Sequence, residues 1–503
     1  MHRLRKSIFF PAFVVIAGAA IFSLADPQSF VSITKGINNW LLETFDWLYG
    51  GAVLLFLLIV IGIYISPAGR TTIGKTKPIL SKPKWFSITL STTIASGILF
   101  WGPMEPLYHF NGPPAGLHIE PGSDAAIDFS MSTMFMHWTF IPYAIYTLAG
   151  IAFAIGYYNM KGRFGLSALL HPLLGERAVK WGTPINIIAL FSLVAGMAAS
   201  LGAGILVLNG GLSNLTDLGA TKLSLGIITA IIVLTFVVSA TSGLQKGIRI
   251  LSTWNVRIFI LIGVGMLIFG PTAEIFDYTW RGVKEFVLTF PERSTIGFSE
   301  ANKQWSYDWT LFYWANWLAW TPITAIFLGR IAVGRTVREF IRFNLLYPSL
   351  FGIAWMGIFS GSSLAIEQSQ GNLYSILDGG GNAGEIIFTL FDALPIAQVF
   401  AIIYLITAFL SYVTAADSNT SAMSGISSKG ISPTNPEAPK WIQIIWGTLI
   451  GIIAWVMISF GGSEGAQGLD GIRMLSNLGG FPALLLIIAV SVGLVRWVVR
   501  GTN

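Results

Sequence analysis

Twelve apolar stretches separated by short polar loops run through the chain, at roughly 8–24, 47–65, 86–110, 131–157, 183–208, 223–241, 250–271, 308–329, 345–361, 395–421, 441–460 and 475–496. A helix needs about 20 such residues to cross ~30 Å of hydrocarbon. The pattern therefore predicts an all-α polytopic membrane protein with twelve transmembrane helices. The first stretch follows His2, Arg3, Arg5 and Lys6, as in a secretory leader, but no small-residue cleavage site comes after it, so it reads as a retained helix. Lys and Arg are held on the cytoplasmic side of short loops. They collect at 70–84, 161–180, 246–249, 330–342, 429–440 and 496–500, and the intervening loops carry acids such as Asp26, Glu120, Glu385 and Asp470. Every second loop is basic, which predicts a bacterial inner-membrane protein with both termini cytoplasmic.

Composition agrees with the bilayer as solvent. Of 503 residues, 53% are hydrophobic and 11% charged, at a mean hydropathy of +0.68, against about 25% charged in a soluble domain. The net charge of +6 sits in short loops, so it reports topology and implies no nucleic-acid partner. No cysteine is present, which removes disulfides, thiol nucleophiles and Cys-ligated metals. An intramembrane enzyme is disfavoured, since His137 has no Cys, His or acidic cluster beside it in sequence. A channel would show rings of charge or a repeated filter, and neither is visible.

Gly and Pro point to broken helices, where secondary transporters hold substrate near the midplane. The third stretch contains Ser91-Thr92-Thr93-Ile94-Ala95-Ser96-Gly97 followed by Gly102, Pro103 and Pro106, and the eighth contains Trp320-Thr321-Pro322-Ile323-Thr324. Equivalent breaks predict two inverted five-helix repeats, 86–272 and 308–496, joined by an amphipathic periplasmic connection at 273–307. Residues 1–85 then add two N-terminal helices and a basic loop, and 497–503 form a short cytoplasmic tail. Trp138, Tyr143 and Tyr146 on the fourth span and Trp314, Trp317 and Trp320 on the eighth lie at mid-span. Such rings anchor a helix at the interface or form a cage whose faces attract a quaternary ammonium.

Five separated motifs resemble the betaine/carnitine/choline transporters. They are Trp309 to Trp317 with Phe327-Leu328-Gly329-Arg330 and Gly334 to Glu339, Phe100-Trp101-Gly102-Pro103-Met104-Glu105-Pro106, His137-Trp138, Ser242 to Ile248, and Ala416-Asp417-Ser418. The resemblance implies a homotrimer with the five-plus-five inverted-repeat core. It places an aromatic box on Trp138, Tyr143, Tyr146 and Trp317, with Trp320 on the path beside it and Trp101 nearby. Tyr143 and Asn316 stand where the family usually has tryptophans, and Asn316 either offers its amide to the cage or packs on a neighbouring helix.

The expected substrate is a small methylated-ammonium compound. Gly97, without a carboxylate, leaves the Ala95, Ser96 and Gly97 amides free for an anionic oxygen, which favours glycine betaine, with trimethylamine N-oxide next. Tyr108 matches a pocket tyrosine of the family's carnitine exchangers, but Thr324 replaces their methionine. By resemblance a sodium ion, the one cofactor-like partner expected, would be held by Thr414 and Ser411 with carbonyls of Ser91 and Ile94. Leu193 and Met197 replace the threonines of a second site, so one ion is expected. Sodium-free exchange is the alternative. There an arginine replaces the ion, but alignment puts Asn255 and not Arg257 at that position. Asp417 is expected to pair helices.

Overall fold

The structure is a computed structural model that describes residues 4–93, 97–216, 218–242, 245–295, 299–430, 439–462 and 468–500, excepting the side chains of 91, 92, 240–242, 245–254 and 256. Its main helices are α1 (Lys6–Ala25), α2 (Pro27–Ile65), α3 (Lys82–Thr93), α4 (Gly97–Asn111), α5 (Asp124–Trp138), α6 (Phe140–Ala154), α7 (Gly182–Thr216), α8 (Lys222–Ser242), α9 (Gln245–Phe269) and α10 (Thr272–Leu288). They continue as α11 (Phe312–Ile331), α12 (Tyr347–Gln370), α13 (Ala397–Ile426), α14 (Lys440–Phe460) and α15 (Leu469–Val499). Among the described residues no strand forms beyond isolated bridges.

Nine helices among the described residues are long and apolar enough to cross a membrane, and a tenth if α9 and α10, bent by 106° at their junction, count as one. The two other predicted spans, 86–110 and 308–329, are helical without meeting that apolar length. The first is described on either side of residues 94–96, as α3 and α4, and the second, α11, is diluted by Tyr313, Asn316 and its tryptophans. Residues 94–96, where the first break is expected, lie outside the described residues. The expected break at 320–324 is absent, because α11 runs continuously from Phe312 to Ile331 with Pro322 inside it. An unexpected interruption falls instead at Thr139 (φ −126°, ψ −118°), between Trp138 and Phe140.

Local chemistry explains other boundaries. The α2 helix begins far earlier than its apolar run, because Asp26 caps it by accepting from the Ser29 amide (3.0 Å) and Pro27 opens its first turn. Its far end is capped in trans. Arg338, in the basic motif after α11, donates from Nε to the Tyr64 carbonyl (2.7 Å) and from Nη2 to those of Ile65 and Ser66 (3.2 Å each). The α10 helix is amphipathic as predicted, burying Ile275, Tyr278, Gly282 and Phe286, while Arg281 bonds Asp128 on α5 (2.7 Å). Large apolar side chains such as Leu223, Leu234, Ile268 and Ile406 stay exposed around the outside, where a bilayer would cover them.

Packing at the centre is close. Gly480 lays α15 directly on α11, and a Cβ added there would stand 2.3 Å from the Ala315 carbonyl oxygen. Helix α4 holds two internal prolines, each lacking the N–H that its fourth preceding carbonyl needs. Pro103 thus frees the Leu99 carbonyl, and Pro106 frees that of Gly102. Both are recovered by neighbouring helices. The Tyr404 hydroxyl of α13 donates to Leu99 O (2.7 Å), and Ser360 Oγ of α12 donates to Gly102 O (2.7 Å).

Tyr404→Phe should therefore leave a buried carbonyl unpaired and cost about 1–3 kcal/mol, read as a lower Tm of the detergent-purified protein. Pro103→Ala restores the missing N–H, so in that background most of the Tyr404→Phe loss should disappear. An equal loss in both backgrounds would contradict this account of the bond.

Candidate binding site

A cavity lies where α4, α5, α6, α7, α11 and α15 meet, lined by Gly97, Trp101, Trp138, Tyr146, Asn316, Trp317 and Trp320 together with Ala199, Ser200, Ala203, Phe312 and Ile472. Trp317 is the central ring. Its centroid lies 5.9 Å from Trp138, 5.4 Å from Tyr143 and 5.1 Å from Tyr146, with interplanar angles of 73°, 62° and 61°. All four rings are at most 4% exposed, far from the wet interface an anchoring belt occupies. The interruption at Thr139 puts Trp138 at the end of α5 and the two tyrosines on the first turns of α6. An edge-on set of this kind presents π faces to a cation that cannot donate hydrogen bonds.

Gly97 packs close to two rings, since a Cβ there would meet Trp138 Cη2 at 3.3 Å and Trp101 Cδ1 at 3.5 Å. Asn316 does both things expected of it, lining the cavity and accepting from Ser476 Oγ of α15 (3.5 Å). Tyr143 touches Trp317 without lining the cavity. Tyr108 stands apart, packed on Trp309 (5.3 Å) and Tyr374 (6.1 Å), because seven residues along α4 carry it about two turns beyond Trp101. Ile94, Ala95 and Ser96 fall outside the described residues, as does the Ser91 side chain. Small side chains at Ala199, Ser200 and Ala203 complete the cavity. Their signal was the small-residue run Ala198-Ala199-Ser200-Leu201-Gly202-Ala203-Gly204.

The two hydroxyls expected at an ion site are on α13, away from the cavity. Thr414 Oγ1 donates to the Leu410 carbonyl (2.7 Å), and Ser411 Oγ accepts from Asn255 Nδ2. Asn255 is buried and its Oδ1 finds no donor among the described residues, while Arg257 is exposed. Leu193 and Met197 are fully enclosed. For Asp417, expected to pair helices, the described residues supply no ion pair and no hydrogen-bond partner for its buried Oδ1.

Sequence reading missed a buried polar cluster behind the cage. His137 has an acidic neighbour after all, because α4 brings Glu105 to it from 32 residues away. Glu105 Oε1 meets His137 Nδ1 (2.7 Å) and His109 Nε2 (3.1 Å), and Oε2 accepts from the Trp138 indole N–H (2.9 Å) and the Tyr313 hydroxyl. His137 Nε2 contacts Thr310 Oγ1 (3.2 Å). Glu105, His109 and His137 are each 0% exposed, and His109, in the last turn of α4, belongs to this cluster. The ligand atoms of these three lie within 4.8 Å of one another, as a metal site would require. Their spacings are those of hydrogen bonds, however, and the carboxylate already faces four donors.

Residues 7–502 match the family model described as betaine/carnitine/choline family transporter. A "Probable glycine betaine transporter" of Desulfitobacterium hafniense (strain Y51) is 29% identical over 478 residues, covering 93% of this chain and 92% of the relative. The "Glycine betaine transporter OpuD" of Bacillus subtilis (strain 168) is 29% identical over 471 residues, 92% and 89% of the two chains. The "Osmo-dependent choline transporter BetT2" of Acinetobacter baylyi is 28% identical over 503 residues, 98% and 71%.

Glu105→Ala should be among the most damaging single changes, since it strands four buried donors at once. A loss of about 3–5 kcal/mol is expected for removing the centre of such a network, measured as a fall in Tm in detergent. A shift no larger than that of the exposed Glu300→Ala would mean that the network does not form.

Proposed function

The chain belongs to the betaine/carnitine/choline family of transporters, and from that premise we propose that it imports a compact methylated-ammonium zwitterion, glycine betaine first and trimethylamine N-oxide next. It is a multi-pass membrane transporter and not an enzyme. The observation that carries the substrate reading is the buried set of rings around Trp317. A trimethylammonium head has no hydrogen to donate, so affinity must come from π faces, each contributing up to ~2 kcal/mol when desolvated. Two features support a zwitterion over a pure cation. No acidic side chain lines the cavity beside Gly97, and the buried Trp317 indole N–H finds no acceptor among the described residues, which suits a substrate oxygen.

The wider arrangement proposed is a homotrimer in a bacterial inner membrane, with both termini cytoplasmic. Each protomer has two inverted five-helix repeats at 86–272 and 308–496, preceded by the helices of 1–85. Uptake is coupled to one sodium ion. Ser411 and Thr414 are one helical turn apart, and the enclosed Leu193 and Met197 offer no oxygen for a second ion. Sodium-free exchange is the second reading. It is favoured by the Asn255 amide, which already engages the Ser411 hydroxyl.

Trp317→Ala should raise the half-saturation concentration for glycine betaine uptake in proteoliposomes about tenfold or more, since one desolvated face is lost. Unchanged uptake by Trp317→Ala combined with Trp138→Ala would sink the cage.

Sodium should stimulate uptake with a Hill coefficient of about one, as a single coupled ion requires. Thr414→Val removes the oxygen at nearly constant volume and should weaken sodium activation far more than substrate binding at saturating sodium. Equal uptake in sodium and choline-free potassium media, unaltered by Thr414→Val, would select exchange.

A further inference from the structure

We propose that Glu105 is the buried counter-charge of the cage, a positioning residue that acts through Trp138 to make the site prefer a quaternary ammonium over an uncharged group of the same shape. This rests on the cage reading above. Trp138 is shared by two environments. The residue lines the cavity, its benzo carbon Cη2 stands beside Gly97, and its N–H donates to Glu105 Oε2 at 2.9 Å. The carboxylate is fully buried and gathers the Trp138 and Tyr313 donors on one oxygen and the two histidine nitrogens on the other. An indole N–H can only donate. The surroundings are thus those of an ionised carboxylate, satisfied by hydrogen bonds and not by a cationic side chain. Among the described residues no Lys or Arg pairs with it.

Two effects follow from that geometry. Hydrogen bonding to an anion pushes electron density from the indole N–H into the ring and makes its face more negative toward a cation. The charge itself lies where water cannot screen it, so its attraction for an ammonium head reaches across the ring. The same field repels the substrate's own carboxylate. Gly97 sits at the opposite end of the indole, against Cη2, so the field also aligns a zwitterion, with its anionic end directed away from Glu105 toward the Gly97 end of the ring. The neighbours that pack on the ring belong to the same network, since Tyr313 and His137 both bond Glu105 as well. Tyr313 is stacked with His137 (4.6 Å, 23°) and sits edge-on to Trp138 (5.2 Å).

The test uses the purified full-length chain, a matched pair of probes and isothermal binding. Glycine betaine and 3,3-dimethylbutanoate have the same shape and the same carboxylate and differ only in a charged nitrogen for a neutral carbon. The parent should prefer betaine, and Glu105→Gln should reduce that preference about tenfold by weakening betaine while leaving 3,3-dimethylbutanoate within about twofold. A merely structural role for Glu105 would weaken both probes alike, and that result overturns the inference, as does a preference that survives Glu105→Gln. A parent with no preference for betaine would overturn the cage reading itself, and the counter-charge with it. If Glu105→Gln does not fold, Trp138→Phe keeps an aromatic face but severs the hydrogen bond, and it should lose the same preference. An unchanged preference there also overturns the inference.

Discussion

A polar group enclosed in a membrane protein has no water to turn to, so every donor and acceptor must find its partner within the chain. Much of the architecture around the cavity answers that requirement. The prolines inside α4 release two carbonyls, and α12 and α13 bond them through Ser360 and Tyr404. Further along the same helix, Glu105 collects donors from α4, α5 and α11. Four helices are thereby fastened to α4 by groups that would be costly to leave bare. The cavity is the space that these attachments enclose.

This dependence also explains why the site is built of aromatic rings. A ring can be buried without incurring the cost of an unpaired polar atom, yet its face still carries negative potential. Trp138 joins the two kinds of chemistry, bonding the carboxylate network through its N–H and lining the cavity. Tyr146 extends the wall from α6, and Tyr143 packs on Trp317 behind it.

Much of this was legible in the sequence, because span length, loop charge and mid-span aromatics each have a direct physical meaning in a bilayer. The mid-span aromatics and the amphipathic connection at α10 follow from residue type and position, while the choice of four of those rings as a box came from the family resemblance. Three features escaped. Pro322 was expected to break α11, but a proline interior to a packed helix can be absorbed without interruption. The interruption at Thr139 carries no glycine, and its one local signal, Pro142 in the first turn of α6, which removes the N–H that the Trp138 carbonyl would need, was passed over. The Glu105, His109 and His137 cluster joins residues of separate spans, and no one-dimensional spacing encodes the angle at which α4 meets α5. Hydropathy also passed over the early start of α2, where Lys35, Glu43 and Asp46 interrupt the apolar run although the helix continues.

The contact at Gly480 has a mechanical consequence. Where α15 rests on the Ala315 backbone with no side chain between them, there is no rotamer to take up relative movement, and the two helices behave as one lever. Trp317 rides on that lever. Trp138 and Tyr146 ride on pieces of chain joined by a single non-helical residue, Thr139. The wall bearing Trp317 is thus the stiff jaw of the site and the wall bearing Trp138 and Tyr146 the compliant one, so a bulkier guest would be accommodated by yielding at Thr139.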